Sequence, residues 1–213
     1  MRIVKSESHD AACNCELEKR LLTETADEIL LFYINSPSVV VGRNQSIEAE
    51  ADTEYCLWHG IAIVRRISGG GAVYHDEGNI NYAFIGNKGE KLLLDNDLLR
   101  PIIDALADFG VRATEGKRRE LLVDGLKISG TASYATKGRQ LFHGTILHNT
   151  PLSAMRHALR GDASKRGKRI ASVPSAVMNL NTLPGLDIPT GEFLEKLICF
   201  FEGYYGCKLD RIF

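Results

Sequence analysis

The sequence predicts an α+β fold, with mixed and largely antiparallel sheets flanked by helices, in a single domain over residues 1–213. The length of 213 residues, with 44% hydrophobic and 25% charged residues, is typical of one globular domain with a real core, two small domains being the alternative. The predicted strands and helices do not alternate strictly, which argues against a parallel α/β sheet. The turn Asp124-Gly125 between two apolar runs is a strong β-hairpin signal.

In the first half of the chain, Leu17, Leu21 and Leu22 stand among charges at helical spacing, which predicts an amphipathic helix. The following strands are predicted from short apolar or β-branched runs, and two of them are expected to pair around the turn Glu77-Gly78-Asn79. The predicted elements are helix Ala11–Leu22, strands Glu28–Asn35 and Val39–Gly42, helix Glu48–His59, and strands Ala62–Arg66, Val73–His75 and Ile80–Ile85.

The second half begins with the longest predicted helix, which is closed by Gly110. Three successive antiparallel strands follow, and a last helix is expected to begin at an N-cap on Thr190. The predicted elements are helix Leu92–Phe109, strands Leu121–Val123, Leu126–Ser133 and Gln140–Leu147, and helix Thr190–Tyr205. The Gly-, Lys- and Arg-rich segment Asp162–Arg169 is predicted to be a mobile loop.

Charge and cysteine content narrow the function classes. The 26 Lys and Arg residues nearly balance the 27 Asp and Glu residues, so nothing in the net charge of -1 favours nucleic acid as a partner. No apolar run approaches the roughly 20 residues of a membrane helix, and no secretory signal opens the chain, so we expect a cytoplasmic protein. The 5 cysteines form no CxxC pair, which favours reduced thiols, and no cluster of residues with metal-ligand spacing predicts a metal site.

The most informative segment is RRISGGGAVYHDEGN, residues 65–79. Three consecutive glycines are costly in regular structure but useful where backbone N–H groups converge on an anion. Arg65 and Arg66 add fork-shaped donors suited to phosphate or carboxylate. The segment is neither a P-loop nor a dinucleotide fingerprint. The residues alone therefore predict an anion-binding loop, with a flexible turn flanked by solvated arginines as the alternative.

This segment, extended to residue 84 as RRISGGGAVYHDEGNINYAF, closely resembles the signature of lipoate–protein ligases, which share a superfamily with biotin–protein ligases. Further stretches resemble the family in order and spacing over most of the chain. They are NCELE (14–18), VGRNQ (41–45), DGLKISGTA (124–132), FHGTIL (142–147), IASV (170–173) and VMNL (177–180). The pattern alone makes Lys127 an ordinary solvated strand residue, whereas the resemblance places it on the single essential lysine of the family.

The resemblance implies the biotin/lipoate ligase-like catalytic fold and a two-step reaction. ATP activates lipoate to lipoyl-adenylate, and a lysine of an acceptor lipoyl domain then takes the lipoyl group. The implied acceptors are a 2-oxoacid dehydrogenase subunit or the glycine cleavage H protein, and Mg²⁺ is expected with ATP. The implied catalytic residue is Lys127, which also belongs to the ATP and adenylate site with Arg66, Gly71, Ala72, Val73 and Tyr74. The implied lipoyl-binding residues are Gly70, His75, Asn79 and His143; for His75, Asn79 and His143, a purely structural role is the alternative.

The sequence departs from the family in two places. Arg119-Glu120 stands where the family usually has Asn-Asp, which puts nucleotide contact there in question. The chain ends at Phe213 without the accessory domain that many relatives carry, so a separate accessory protein, a self-sufficient domain and a transfer-only enzyme all stay open. The competing functions are therefore a lipoyl or octanoyl transferase that performs only the transfer step and a non-catalytic lipoyl-binding module.

Overall fold

The computed structural model describes residues 1–88 and 98–212, apart from the side chains of residues 211 and 212. The predicted α+β class is confirmed: six helices and twelve strands lie in this part of the chain. The helices are α1 (Ala11–Glu24), α2 (Ile47–Glu50), α3 (Thr53–Trp58), α4 (Arg100–Asp108), α5 (Leu152–Ala158) and α6 (Thr190–Tyr205). None of the described helices is long and apolar enough to cross a membrane.

The strands form one large and two small sheets. They are β1 (Arg2–Ser6), β2 (Ile29–Tyr33), β3 (Ser38–Val41), β4 (Ala62–Arg65), β5 (Val73–His75), β6 (Asn79–Asn87), β7 (Thr114–Glu115), β8 (Leu121–Val123), β9 (Leu126–Ser129), β10 (Thr131–Ala135), β11 (Arg139–Leu147) and β12 (Leu209–Ile212). The six-stranded sheet has the order β10-β11-β6-β2-β1-β12, and the small sheets have the orders β4-β3-β5 and β7-β8-β9. Most strand pairs are antiparallel; β1 pairs with β2 and β12, and β3 with β4, in parallel.

Both faces of the large sheet are covered. On one face, apolar side chains of α4 and α6, such as Ile102 and Phe193, pack against Phe32, Tyr82 and other core residues. On the other face, Leu22 of α1 packs against Ile29 and Leu31, as the amphipathic pattern of this helix predicts. A third cluster joins β3 to α3 and α5.

Two predicted strand arrangements are wrong because the chain changes sheets. β5 and β6 do not pair around the 77–79 turn, since β5 adds to β3 while β6 lies between β2 and β11. The predicted strand Leu126–Ser133 is divided at Gly130, where β9 leaves the β7-β8-β9 sheet and β10 enters the large sheet. The hairpin turn itself is as predicted: Asp124 and Gly125 have φ angles of 50° and 78°, and β8 and β9 pair antiparallel.

Three predicted helices need correction. Glu48–His59 is two short helices, because Asp52 starts a new one by accepting a hydrogen bond from the Tyr55 backbone N–H at 2.9 Å. Of the predicted helix Leu92–Phe109, the structure shows α4 beginning at Arg100, and residues 92–97 lie outside the described residues. Pro189, not Thr190, is the N-cap of α6; the Thr190 hydroxyl instead lies 3.0 Å from His148 Nδ1.

The segment predicted as a mobile loop has contacts with α2. Ala163–Lys165 forms a 3₁₀ turn that Asp162 caps. Arg166 Nε lies 3.5 Å from a Glu50 carboxylate oxygen, and Arg169 donates to the Gln45 carbonyl at 3.1 Å. The Asp162 N–H donates to the Glu48 carbonyl at 2.7 Å, so this segment is held against the α2 region at both ends.

Candidate functional site

Arg66 lies beneath the glycine loop, which we define as residues 69–72. Its guanidinium is buried, with the residue 7% exposed, and it donates to the carbonyl oxygens of Gly69 at 2.6 Å and Gly71 at 2.7 Å. It also donates to the Val40 carbonyl at 3.0 Å and the Ser68 hydroxyl at 2.9 Å. Burial lowers its pKa from the ordinary arginine value. Arg66 therefore holds the carbonyl groups of the loop, which fixes the loop's shape.

Close backbone packing explains the glycine in the VGRNQ motif. A Cβ on Gly42 would collide with the carbonyl oxygen of Gly70. Gly70 has a φ of 86°, which favours glycine. The Gly42 N–H donates to the Gln45 side chain at 2.9 Å. The motif at the end of β3 is thus packed directly against the glycine loop.

Two cavities flank this loop. Cavity A, of about 380 Å³, extends from the loop to the large sheet and is lined by both charged and apolar side chains. Its lining includes Cys15, Glu18, Tyr33, Arg66, Gly70, Gly71, Ala72, Val73, His75, Asn81, Arg118, Glu120, Lys127, Gly130, His143, Thr145 and Ser172. Cavity B, of about 390 Å³, lies beside it. Its lining includes Glu50, Ala72, Val73, Tyr74, Asn79, Lys127, Ser129, Gly130, Thr145, Met155, Arg156, Ser172 and Val177.

Lys127 lines both cavities. It is half-buried on β9, and a Cβ on Gly130 would lie 2.9 Å from its Nζ, so the amine passes directly over this glycine. Burial lowers the pKa of the amine, the nearby Arg118 lowers it further, and Glu120 opposes the shift. Lys127 thus lies at the junction of cavity A and cavity B, and Ala72 and Val73 also line both cavities.

All ten residues that the sequence singled out line at least one cavity. Strand alternation on β5 sends His75 into cavity A and Tyr74 into cavity B, while Val73 reaches both. Asn79 lies in cavity B, away from the cavity A residues with which it was grouped. Val41, at the end of β3, lines neither cavity and packs in the core cluster of β3 and α3.

The inner part of cavity A contains a buried polar network that the sequence did not reveal. His143 Nδ1 lies 2.9 Å from the Glu18 carboxylate, and its Nε2 lies 2.7 Å from the Ser68 hydroxyl. Tyr33 donates to Glu18 at 3.0 Å; burial, together with the nearby Glu18 charge, raises the pKa of Tyr33 well above its ordinary value. The one signal of this network in the sequence was Glu18 in the NCELE stretch. It did not indicate burial, because a glutamate on an amphipathic helix is normally solvated.

The two residues that depart from the family pattern take different positions. Glu120 lines cavity A and accepts from the Arg118 N–H at 2.7 Å. Arg119 lies outside both linings, with its guanidinium 5.5 Å from the centre of the Phe142 ring. Its φ of 60° is in the left-handed region, where asparagine is a more favourable residue than arginine. The neighbouring Arg118, which the sequence did not single out, is the one that reaches cavity A.

Ser172 closes one side of the junction. Its hydroxyl accepts from the Ala72 backbone N–H at 2.8 Å and from the Gln45 amide at 3.1 Å, while its own N–H donates to Glu50 at 3.0 Å. The Ala72 N–H of the glycine loop is therefore satisfied by a side-chain hydroxyl of the protein itself. Among the described residues, no group of three or more His, Cys, Asp or Glu side chains is arranged to hold a metal ion.

Comparison with known proteins agrees with the resemblance. The family model of the lipoyl protein ligase A/B catalytic domain matches residues 10–202. The chain is 40% identical over 173 residues to lipoate-protein ligase LplJ of Bacillus subtilis, which covers 80% of this chain and 52% of that protein. It is 39% identical over 193 residues to lipoate–protein ligase 1 of Staphylococcus aureus, which covers 89% of this chain and 58% of that protein. The chain thus spans little more than half the length of these relatives.

Solved structures share the fold. A crystal structure of lipoate-protein ligase A bound with ATP superposes with a TM-score of 0.82 at 23% identity, covering 100% of this chain and 89% of that one. A bi-partite lipoate protein ligase of Thermoplasma acidophilum, studied with its E2 lipoyl domain, superposes with a TM-score of 0.81 at 23% identity, covering 100% of this chain and 87% of that one. At this level of identity the structures support the fold alone.

Proposed function

Because the chain belongs to the lipoyl protein ligase A/B catalytic domain family, we propose that it activates lipoate with ATP and transfers the lipoyl group to an acceptor lipoyl domain. The observation that carries this proposal is the position of Lys127 at the junction of two cavities. In this proposal cavity A holds the acid and cavity B the nucleotide. The acid carboxylate and the α-phosphate then meet beside one ammonium group.

In the first step, a carboxylate oxygen of lipoate attacks the α-phosphorus of ATP and the bond to pyrophosphate breaks. Both reactants are anionic, so the Lys127 ammonium and the glycine loop N–H groups lower the barrier by offsetting their charge. Arg118 adds a second, half-exposed cation at cavity A. Mg²⁺ would be bound mainly through the ATP phosphates.

In the second step, the ε-amine of the acceptor lysine attacks the acyl carbonyl, AMP leaves with the bonding electron pair, and the amine loses a proton. Lys127 stabilises the charge on the departing phosphate. The acceptor would be a lipoyl domain of a 2-oxoacid dehydrogenase or the glycine cleavage H protein. We propose that residues 1–213 form a single catalytic domain.

The experiment is a two-stage assay with purified protein, lipoate and ATP. Pyrophosphate release measures adenylation, and the mass of an added lipoyl domain measures transfer. We expect both, with an accessory domain from a full-length relative raising the first rate. Transfer from preformed lipoyl-adenylate without pyrophosphate release from ATP would indicate a transfer-only enzyme. Failure of both stages, even with the accessory domain present, would favour a non-catalytic lipoyl-binding module.

A thioester acyltransferase that uses Cys15 is the second candidate, because this thiol lines cavity A. Burial, with Glu18 nearby, raises its pKa to about 12, which leaves almost no thiolate at neutral pH. We therefore expect no acyl-cysteine adduct after incubation with octanoyl-carrier protein. A mass increase on the peptide that contains Cys15 would support the transferase instead.

We expect the charged neighbours of Lys127 to set the pH at which kcat/KM falls on the alkaline side of its pH profile. Glu120 raises the pKa of Lys127 and Arg118 lowers it. Glu120→Gln should therefore move the alkaline limb of kcat/KM to lower pH, and Arg118→Gln should move it to higher pH. Limbs that shift in the same direction, or not at all, would show that deprotonation of Lys127 does not set this limb.

Gly42→Ala is expected to impair both stability and activity. The added methyl group must displace the Gly70 carbonyl and with it the glycine loop. Overpacking of this kind costs about 1–3 kcal/mol of folding stability. We expect the free energy of unfolding, measured with urea, to fall by this amount. We expect the displaced loop to raise the KM for ATP by about tenfold, which corresponds to about 1.4 kcal/mol of lost binding. Gly203→Ala is the matched control, because a Cβ there meets nothing within 4 Å.

A further inference from the structure

His75 is the buried polar side chain of cavity A with an unpartnered ring nitrogen. The residue is 5% exposed, and its Nε2 has no hydrogen-bond partner in the part of the chain that the structure describes. A buried N–H without a partner costs about 1–3 kcal/mol. Such a group in a ligand cavity calls for a partner on the ligand.

A chain of hydrogen bonds fixes which ring nitrogen of His75 carries the proton. The chain begins at the Ser8 carbonyl, which can only accept and receives the Asn14 Nδ2–H at 2.8 Å. The same amide nitrogen donates to Asn35 Oδ1 at 2.8 Å. The other end of the Asn35 amide is therefore its nitrogen, which donates to His75 Nδ1 at 3.0 Å.

His75 Nδ1 is thus an acceptor, and in the neutral ring the proton is on Nε2. Burial, with Arg66 and His143 nearby, lowers the His75 pKa to about 3, so the ring stays neutral at physiological pH. Asn14 and Asn35 are fully buried, which protects the chain of amides from competing water. Cavity A therefore contains a neutral N–H donor, the Nε2–H of His75. The amides of Asn14 and Asn35, which do not line the cavity, determine that the proton is on Nε2.

The position of His75 identifies the part of the ligand that this donor can reach. Thr145 pairs with Asn81, and Asn81 pairs with Tyr33, across three neighbouring strands of the sheet. Two strand spacings separate Thr145 from Tyr33 by roughly 10 Å. Lys127 lies at the Thr145 end, because Gly130 beneath it donates to the Thr145 hydroxyl at 3.3 Å. His75 lies at the other end, where Asn35 follows β2.

We propose that the Nε2–H of His75 donates a hydrogen bond to an acceptor atom at the far end of the bound acid, with Asn14 and Asn35 as positioning residues. This inference rests on the proposed function, in which the carboxylate lies at Lys127. An acid with an acceptor at its far end, such as a ring sulfur of lipoate, is then favoured over a plain alkyl acid of similar length. His75 is a specificity-determining residue in this account.

The test compares three acids as probes: octanoate, lipoate and 7-oxooctanoate, whose ketone oxygen is a stronger acceptor than sulfur. Calorimetry with the free acids and the kcat/KM for adenylation are measured for the wild type, His75→Leu and His75→Gln. We expect His75→Leu to reduce the preference for lipoate and 7-oxooctanoate over octanoate by about 2- to 10-fold, the effect of one net hydrogen bond. His75→Gln, which keeps a donor, should retain most of the preference.

Ser38→Ala is the matched control, because Ser38 is buried opposite His75 in the β3–β5 pair and lines neither cavity. An equal loss for all three acids in His75→Leu would show that His75 only supports the fold and would overturn the inference. An unchanged preference would overturn it as well. If the wild type binds none of the acids, the proposed function fails together with the inference.

The tautomer gives a second readout that does not depend on turnover. Nitrogen-15 NMR of histidine-labelled protein should show a proton on Nε2 of His75 in the wild type. In Asn35→Asp the carboxylate only accepts. If the proton moves to Nδ1, the acid preference should fall; if the ring becomes doubly protonated and keeps its Nε2–H, the preference should remain. A wild-type spectrum with the proton on Nδ1 would contradict the inference directly.

Discussion

Lys127→Ala is expected to lower the rate of adenylate formation by about 10²- to 10³-fold, the usual effect of removing one preorganised charged donor from a reaction centre. The reason is the position of the amine where the two cavities meet. The rate is measured as pyrophosphate release at saturating lipoate and ATP. Because the loss arises in the transition state, we expect kcat to fall more than the affinity for either substrate.

Two variants sharpen this prediction. Lys127→Arg keeps the charge but not the compact ammonium above Gly130, and we expect it to recover binding of ATP with only part of the rate. Lys137→Ala, an exposed lysine in the turn between β10 and β11, should behave as the wild type. A Lys127→Ala enzyme with an unchanged kcat would remove the residue from the chemistry.

Arg66→Ala is expected to have the second-largest effect, because it removes the guanidinium that donates to three carbonyl oxygens and to the Ser68 hydroxyl beneath the glycine loop. Since each orphaned buried group costs about 1–3 kcal/mol, we expect the free energy of unfolding to fall by about 3 kcal/mol or more. ATP binding should be lost with the loop geometry. Urea unfolding and calorimetry with ATP measure the two effects.

The same variant separates two roles of this arginine. If Arg66 acts mainly by contacting phosphate, Arg66→Ala should weaken ATP binding and leave stability unchanged, whereas a structural role predicts loss of both. Arg66→Lys should rescue little, because a single ammonium cannot reach acceptors on Val40, Ser68 and the loop together. Arg20→Ala, which removes a 62% exposed arginine side chain, is the control for charge alone.

Local patterns were sufficient for much of the fold. Helix α1, the Asp124-Gly125 turn and α6 follow from spacing and turn chemistry within a few residues of each position. The change of sheet between β5 and β6 and the division at Gly130 did not follow, since a strand's pattern of apolar residues does not specify its partner. β1 and β12, which pair with each other from opposite ends of the sequence, were not predicted as strands.

The site was predictable where one contiguous segment carries it. The glycine loop and Lys127 were identified from motifs, and both line cavity A. Glu18 and Asn35 were not identified as site residues, because each gains its role from a partner brought close only by folding: His143 for Glu18, and His75 for Asn35. A buried carboxylate or amide looks like a surface residue until the fold supplies its hydrogen bonds.

The most direct measurement is a crystal structure of the protein with a non-hydrolysable lipoyl-adenylate analogue. We predict the acyl chain in cavity A, the adenosine in cavity B, and Lys127 Nζ within about 3 Å of the oxygens at the link between them. An analogue bound in one cavity alone, or an Nζ beyond hydrogen-bonding distance of the link, would contradict the central role of Lys127.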